Sequence, residues 1–254
     1  MTKRIDPKET VFPPLDKDAE LDRLAGVMRG AQGAGFQILS LVGQQAEGLI
    51  DMLPKGARER LEKATVSALD YSLSAARASR GRLPDASDWL TRAITLGTGA
   101  AGGFGGIGAA LAELPVTTTV ILRAILGIAA EHGFDPEDEK TRAACIRTFA
   151  AAGPLDASDD DTDLSFLTMR LTVTGSTMQG LIAKVAPRLA VPLGQKVAAQ
   201  MVPIIGAAAG AAINYTFTAY YQDMARVQFG LMRLSEATGE SMESLTHQLK
   251  ARIT

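Results

Sequence analysis

Apolar residues recur along this chain at helical spacing. One stripe advances in steps of three, four or seven through Leu21, Leu24, Met28, Ala31, Gly35, Ile38, Val42 and Leu49. Such steps place side chains on one face of an α-helix. A second stripe lies within residues 57–80, and strand and helix patterns do not alternate anywhere along the chain. The pattern predicts an all-α fold, a single-domain helical bundle.

Proline, glycine and capping residues divide the middle of this pattern into helices. A helical segment runs from Asp88 through a glycine-rich stretch to Glu113, and we expect Pro115 to interrupt it. A further helix then continues to Gly133. After it, Asp135 is predicted to N-cap the next helix, with the following proline at the first helical position.

The two ends of the chain differ from its middle. Three prolines within residues 1–17 oppose regular structure, while a short amphipathic helix is predicted from Ser241 onward. An acidic connector occupies 156–163, and Pro203 is expected to break a long helical pattern. We therefore divide the chain into a flexible lead-in at 1–17, a helical domain at 18–236 and an amphipathic tail at 237–254.

Composition narrows the possible functions. With 26 basic and 28 acidic residues, the net charge of −2 gives no global electrostatic basis for binding nucleic acid or an anionic membrane. One cysteine, Cys145, excludes an internal disulfide and is expected to be a buried structural thiol. With only two histidines we expect no metal site and no cofactor. The N-terminus lacks the apolar run of a signal peptide, so we expect a cytoplasmic location.

The glycine-rich stretch at 97–115 contains a match to the dinucleotide-binding pattern G-x-G-x-x-G. That pattern needs a preceding strand and an acidic residue about 20 positions later, and both are missing here. Its glycines instead repeat every four residues, as do small residues downstream, which lets helices approach closely. The predicted membrane or helix-packing surface comprises Gly99, Gly102, Gly103, Gly106, Gly206, Gly210 and Asn214.

Both glycine-containing segments lie in uncharged runs, residues 93–112 and 197–222. In one interpretation they are Gly/Ala-rich, closely packed central helices of the bundle. In the other they form a hairpin that inserts shallowly or conditionally into lipid. Glycine and alanine drive membrane insertion weakly, so a constitutive transmembrane protein is not expected.

Two charges interrupt the long uncharged stretches, Glu113 and Arg123. Because an unpaired buried charge is costly, one interpretation is a buried ion pair between them. The alternative is a polar binding site in which Arg123 contacts an anion and Thr117 and Thr118 supply hydroxyls. A hydrolase with an acidic site around Glu113 is a further alternative, although we assign no catalytic residue.

The stretch "LAELPVTTTVILRAILGIAAEHGFDPEDEKTRAACI" and the later "KVAAQMVPIIGAAAGAAINYTFTAYYQDMARVQF" resemble the EcsC protein family. The resemblance covers roughly residues 60–235. It implies a bacterial, membrane-associated protein from a family named after a gene beside an ABC transporter, and it transfers no catalytic residue.

These observations favour a peripheral membrane protein at the inner face of the cell membrane, contacting lipid or a membrane partner through its Gly/Ala-rich helices. A non-catalytic scaffold or regulator of a protein partner, such as an ABC transporter, is the alternative. The solvent exposure of residues 97–112 and 204–218 would show whether these segments belong to a buried core or to a surface that contacts lipid or a partner.

Overall fold

A computed structural model describes residues 15–31, 33, 57–80, 91–95, 97–98, 106–149, 178, 180, 182 and 206–253. The helices are α1 (Lys17–Ala31), α2 (Ala57–Arg80), α3 (Gly106–Glu131), α4 (Glu139–Phe149), α5 (Gly206–Thr238) and α6 (Met242–Ile253). These ranges contain no β-strand, which confirms the all-α fold. Outside the described residues lie Gly99, Gly102, Gly103, Pro203, most of the lead-in and the connector at 156–163.

Helices α3 and α5 run in the same direction through the bundle. Near their starts, Asn214 contacts Glu113, and near their ends the rings of Phe134 and Phe229 lie 5.5 Å apart. Helix α2 packs mainly on α3, and α4 packs on both α3 and α5. Helix α1 runs antiparallel to α5, because Lys17 pairs with Glu240 whereas Leu24 abuts Gly230.

The buried apolar residues form one continuous core. It joins α1–α6 and includes fully buried aromatic side chains on α4 and α5, with the Phe149 and Tyr221 rings 4.8 Å apart. Cys145 is buried within this core, as expected. Burial also raises the pKa of the Tyr221 hydroxyl well above its usual range, since the charged form is disfavoured there.

The turn after α3 follows the predicted glycine stop. Gly133 has a φ of 91°, and the N–H groups of Gly133 and Phe134 donate to the carbonyls of Ala130 and Ala129. This pair of bonds is a Schellman motif, in which glycine accepts the left-handed backbone without strain.

The predicted start of α4 is three residues too early. Asp135 Oδ1 accepts the Glu137 N–H at 2.9 Å and so closes a turn before the helix. Helix α4 itself begins at Glu139, and the Asp138 carbonyl accepts the Arg142 N–H as its first helical bond. Asp138, rather than Asp135, therefore stands at the N-cap.

The predicted interruption at Pro115 is wrong, because α3 continues through it. Proline cannot donate to the carbonyl four residues earlier, which normally weakens a helix. Its own carbonyl, however, accepts the Thr119 hydroxyl at 2.6 Å and the Ser72 hydroxyl of α2 at 3.0 Å. Packing of α2 along this part of α3 holds the helix together across the proline.

Helix α6, in the predicted C-terminal tail, packs its apolar side on α1 and α5, where Leu245 and Leu249 are fully buried. Ser241 caps its start by accepting the Ser244 N–H at 3.2 Å. His247 is exposed, as expected. At the other end, Arg252 pairs with Asp18 and Asp22 of α1.

One close approach between helices occurs at a glycine that the sequence pattern did not indicate. A Cβ at Gly230 of α5 would lie 2.7 Å from Leu24 Cδ2 of α1. By contrast, a Cβ at Gly26 or Gly30 of α1 would meet nothing within 4 Å. The glycines of α1 are therefore not the contact positions, whereas Gly230 is.

Candidate functional site

A cluster of buried polar side chains lies between the first halves of α3 and α5. It is completed by the helical residues 91–95 and 97–98, here called the threonine segment. We define the polar cluster as Thr95, Thr98, Glu113, Thr117, Asn214 and Thr218. Its members on each helix are spaced by three or four residues, so each helix presents them on one face.

Asn214 is the centre of the polar cluster. Its side-chain Nδ2 donates to Glu113 Oε1 at 2.7 Å and to the Thr95 carbonyl at 3.0 Å. The hydroxyl oxygens of Thr98 and Thr117 both lie 3.4 Å from the same nitrogen. Asn214 is fully buried, and within the described part of the chain its Oδ1 has no hydrogen-bond partner.

Hydroxyl groups connect the remaining members. Thr117 donates to Glu113 Oε1, and the Thr98 and Thr117 hydroxyls lie 3.3 Å apart. Thr218 lies within hydrogen-bond distance of both the Thr95 hydroxyl, at 2.9 Å, and the Asn214 carbonyl, at 2.8 Å. These bonds join three helical elements around one carboxylate, so the cluster fixes how the elements pack.

The structure brings together some of the predicted site residues and separates others. Glu113, Thr117 and Asn214 meet in the polar cluster. Arg123 lies on the same continuous helix as Glu113 but ten residues later, which is about 15 Å along the axis. Because Pro115 does not break the helix, this distance excludes a direct ion pair between Glu113 and Arg123. Thr118 is buried beside Thr117.

Three glycines of the predicted surface, Gly106, Gly206 and Gly210, are helical. The structure describes these three positions only as helical, so the small-residue packing surface stays a prediction.

Glu113 is not placed as the hydrolase alternative requires. That alternative needs its carboxylate in an open cleft, but the residue is buried at 8% exposure and accepts hydrogen bonds from Asn214 and Thr117. Among the described residues, no three histidine, cysteine, aspartate or glutamate side chains are grouped as a metal site would require.

The exposed large apolar side chains among the described residues are Val66, Tyr71, Ile94, Val116 and Tyr215, a set that we call the apolar end. They lie on α2, the threonine segment and the first halves of α3 and α5. The described residues of α1, α4 and α6 include no exposed large apolar side chain. That opposite end holds the ion pairs of Lys17 and Arg252, so the two ends of the bundle differ in surface chemistry.

A positive charge is fixed at the apolar end. Arg92 Nε donates to Gln222 Oε1 at 2.7 Å, and its guanidinium carbon lies 5.8 Å from the centre of the Tyr215 ring. A cation over an aromatic face is stabilised by the ring quadrupole. Sequence reasoning missed Arg92 and Gln222, although both stand at the boundary of an uncharged run. It also missed Thr95, Thr98 and Thr218, whose i, i+3 and i, i+4 spacings could have indicated them.

Within the described residues, no helix combines the length and the apolar character that a bilayer span needs.

The chain matches one protein-family model, over a region that includes the polar cluster. The model of the EcsC protein family matches residues 78–234, more than half of the chain. The chain belongs to the EcsC family. Neither the curated proteins nor the solved structures contain a significant match.

The matched region of this EcsC family protein contains the whole polar cluster together with Arg92, Tyr215 and Gln222. Helices α1 and α6 lie outside the matched residues and pack against the far half of α5. The family region therefore includes the elements that meet at the apolar end, except the part of α2 that precedes residue 78.

Proposed function

We propose that this EcsC family protein is a peripheral membrane protein that docks its apolar end on the lipid of the inner face of the cell membrane. The supporting observation is that the exposed large apolar side chains of the described residues all lie on α2, the threonine segment and the first halves of α3 and α5, whereas the ion pairs of Lys17 and Arg252 lie on the side of α1 and α6. Scattered apolar residues need no explanation, but a one-sided distribution indicates a contact surface.

The chemistry of the apolar end favours lipid over a protein partner. Tyrosine and arginine are suited to the boundary between water and lipid, because each combines an apolar body with a polar tip. Arg92 and Tyr215 form such a pair, and Ile94 and Val116 expose aliphatic side chains nearby. Ile94 and Tyr215 lie within the uncharged runs at 93–112 and 197–222.

The strength of the contact can be estimated from exposure. Ile94 is 43% exposed and Val116 48% exposed. Full burial of such a side chain is worth about 1.5–3 kcal/mol, so burying their exposed parts would add about 1.4–2.7 kcal/mol together. That corresponds to roughly a tenfold to hundredfold change in partitioning.

Vesicle flotation tests this proposal. The full chain is mixed with phospholipid vesicles, and wild type is compared with an Ile94→Ser/Val116→Ser variant. Glu236→Ser is the matched control, because it introduces the same side chain at an exposed helical position near the opposite end. We expect wild type and the control to float and the double variant to bind about tenfold more weakly.

A wild-type chain that stays at the bottom of the gradient with every lipid composition would overturn the proposal. Equal flotation of all three proteins would also contradict it, because the apolar end would then not be the contact surface.

A further inference from the structure

Helix α1 is a layer added to the family region. It lies outside the matched residues 78–234 and packs on α5 and α6. Its apolar stripe, Leu21, Leu24 and Met28, is fully buried in the core. An isolated helix of 15 residues is marginal in water, so α1 depends on this docking for its helical form.

Two glycines make α1 intrinsically weaker still. A Cβ at Gly26 or Gly30 would meet nothing within 4 Å, so the packing requires neither glycine. Each of them weakens the helix relative to alanine, because glycine has more backbone freedom to lose. Helix α1 therefore combines a docked apolar face with a weak helix. Elements of this kind can open locally while the rest of a protein stays folded.

His132 lies where α1, α5 and the end of α3 meet. Leu24 of α1 abuts Gly230 of α5. The ring of Phe229, beside that glycine, lies 5.5 Å from the ring of Phe134, two residues after His132. The His132 side chain is only partly exposed at this junction. A change in its charge is therefore felt where α1 is docked.

The surroundings of His132 favour the neutral ring. Its pKa is lowered mainly by burial, and the charges of Arg23 on α1 and Arg233 on α5 lower it further. Glu20 of α1 and the Ile128 carbonyl, which accepts the Nδ1–H at 2.8 Å, act in the opposite direction. The Glu20 carboxylate is itself engaged by Arg23, at 2.7 and 2.8 Å. A proton added to Nε2 would therefore place a third cation in this junction.

We propose that α1 is a pH-controlled strap, which is released from α5 when His132 is protonated. In the released state water reaches the imidazole and Arg23 leaves its vicinity, so the ring binds its proton more tightly there. Because the docked state has the lower proton affinity, docking is strongest above about pH 6.5, the usual pKa of an exposed histidine, and weakens below it. Release exposes the apolar stripe of α1.

Hydrogen–deuterium exchange of the full chain, read by mass spectrometry and corrected for the intrinsic exchange rate, measures release helix by helix. Between pH 7.5 and 5.5 we expect the opening of α1 to increase by up to about tenfold, because the neutral fraction of an exposed histidine falls about tenfold over this range. Helix α4, which packs on α3 and α5, should keep its protection. Equal increases in all helices would overturn the strap, because protonation would then destabilise the whole fold.

The chain offers a matched control, because it contains two histidines. His247 is exposed on α6 and serves as the second histidine. We expect His132→Gln to abolish the pH dependence of α1 opening and His247→Gln to retain it. A pH dependence that persists in His132→Gln, or that disappears in His247→Gln, would contradict the assignment to His132.

A second measurement needs no variant. The ring resonances of both histidines are followed by NMR in wild type over the same pH range. We expect His132 to titrate below pH 6.5, and α1 opening to stop rising at the pH where the docked ring is protonated. A His132 ring that titrates at or above pH 6.5 would overturn the strap, since docking would then not oppose protonation.

Discussion

The contact between Gly230 and Leu24 allows the packing of α1 on α5 to be tested with a single methyl group. In Gly230→Ala, the added Cβ would lie 2.7 Å from Leu24 Cδ2 and 3.1 Å from Leu24 Cδ1. Carbon atoms pack at about 3.5–4.0 Å, so the Leu24 side chain must retreat by about 1 Å. Leu24 is fully buried in the core and has little room to do so.

The magnitude follows from two opposing effects. Overpacking of this kind costs about 1–3 kcal/mol, whereas replacing glycine by alanine inside a helix gains about 1 kcal/mol. At Gly26 of α1 the added methyl would meet nothing within 4 Å, so Gly26→Ala should show the gain alone. The two variants should therefore differ by about 1–3 kcal/mol in the free energy of unfolding, with Gly230→Ala the less stable.

Urea denaturation of both variants and wild type, monitored by circular dichroism, measures this difference. A third protein combines Gly230→Ala with Leu24→Ala, which removes the clashing atoms, and there the alanine at 230 should no longer destabilise. If Gly230→Ala stabilises the protein as much as Gly26→Ala does, the close packing of α1 on α5 is refuted.

Three further predictions concern the interior. Asn214→Leu removes the amide that donates to Glu113 at 2.7 Å and should destabilise the fold by about 2 kcal/mol or more. Adding Glu113→Leu should restore part of this loss. If urea denaturation shows that the effects of the two substitutions are additive, the result would count against the polar cluster. Burial lowers the pKa of His132 below its usual range despite its bond to the Ile128 carbonyl. Its folded pKa is thus below the unfolded one, so stability should fall as the pH drops below about 6.5, and His132→Gln should show a smaller loss between pH 7.5 and 5.5 by the same assay. Finally, Cys145 should resist thiol reagents in the native protein and react after unfolding; rapid native labelling would contradict its burial.

The helical architecture could be predicted from the sequence because it depends on local rules. The stripe at Leu21, Leu24 and Met28 is buried as predicted, and Gly133 ends α3. The effect of Pro115 was misjudged because the sequence does not show which groups donate hydrogen bonds to its carbonyl. The hydroxyl of Ser72, on another helix, is one of them.

The candidate site could be predicted only in part. Glu113 and Thr117 were identified as polar residues in a long apolar stretch, whereas Asn214 was predicted only as a member of the helix-packing surface. The distance between Glu113 and Arg123 depended on the continuity of α3. The pairing of Arg92 with Tyr215 and Gln222 joins residues more than 120 positions apart. Such a contact is set by the packing of the threonine segment on α5, which no local pattern specifies.

The proposed docking of the apolar end on lipid has a direct spectroscopic test. The only tryptophan of the chain, Trp89, is replaced by phenylalanine, and one tryptophan is placed at the apolar end by Tyr215→Trp. Its fluorescence is measured with vesicles whose phospholipids carry bromine on the acyl chains, a contact quencher, and with unbrominated vesicles as the control. We predict strong quenching by the brominated vesicles in this protein and weaker quenching after Ile94→Ser/Val116→Ser is added. Vesicle-bound protein whose tryptophan emission is the same with both lipids would contradict insertion of the apolar end.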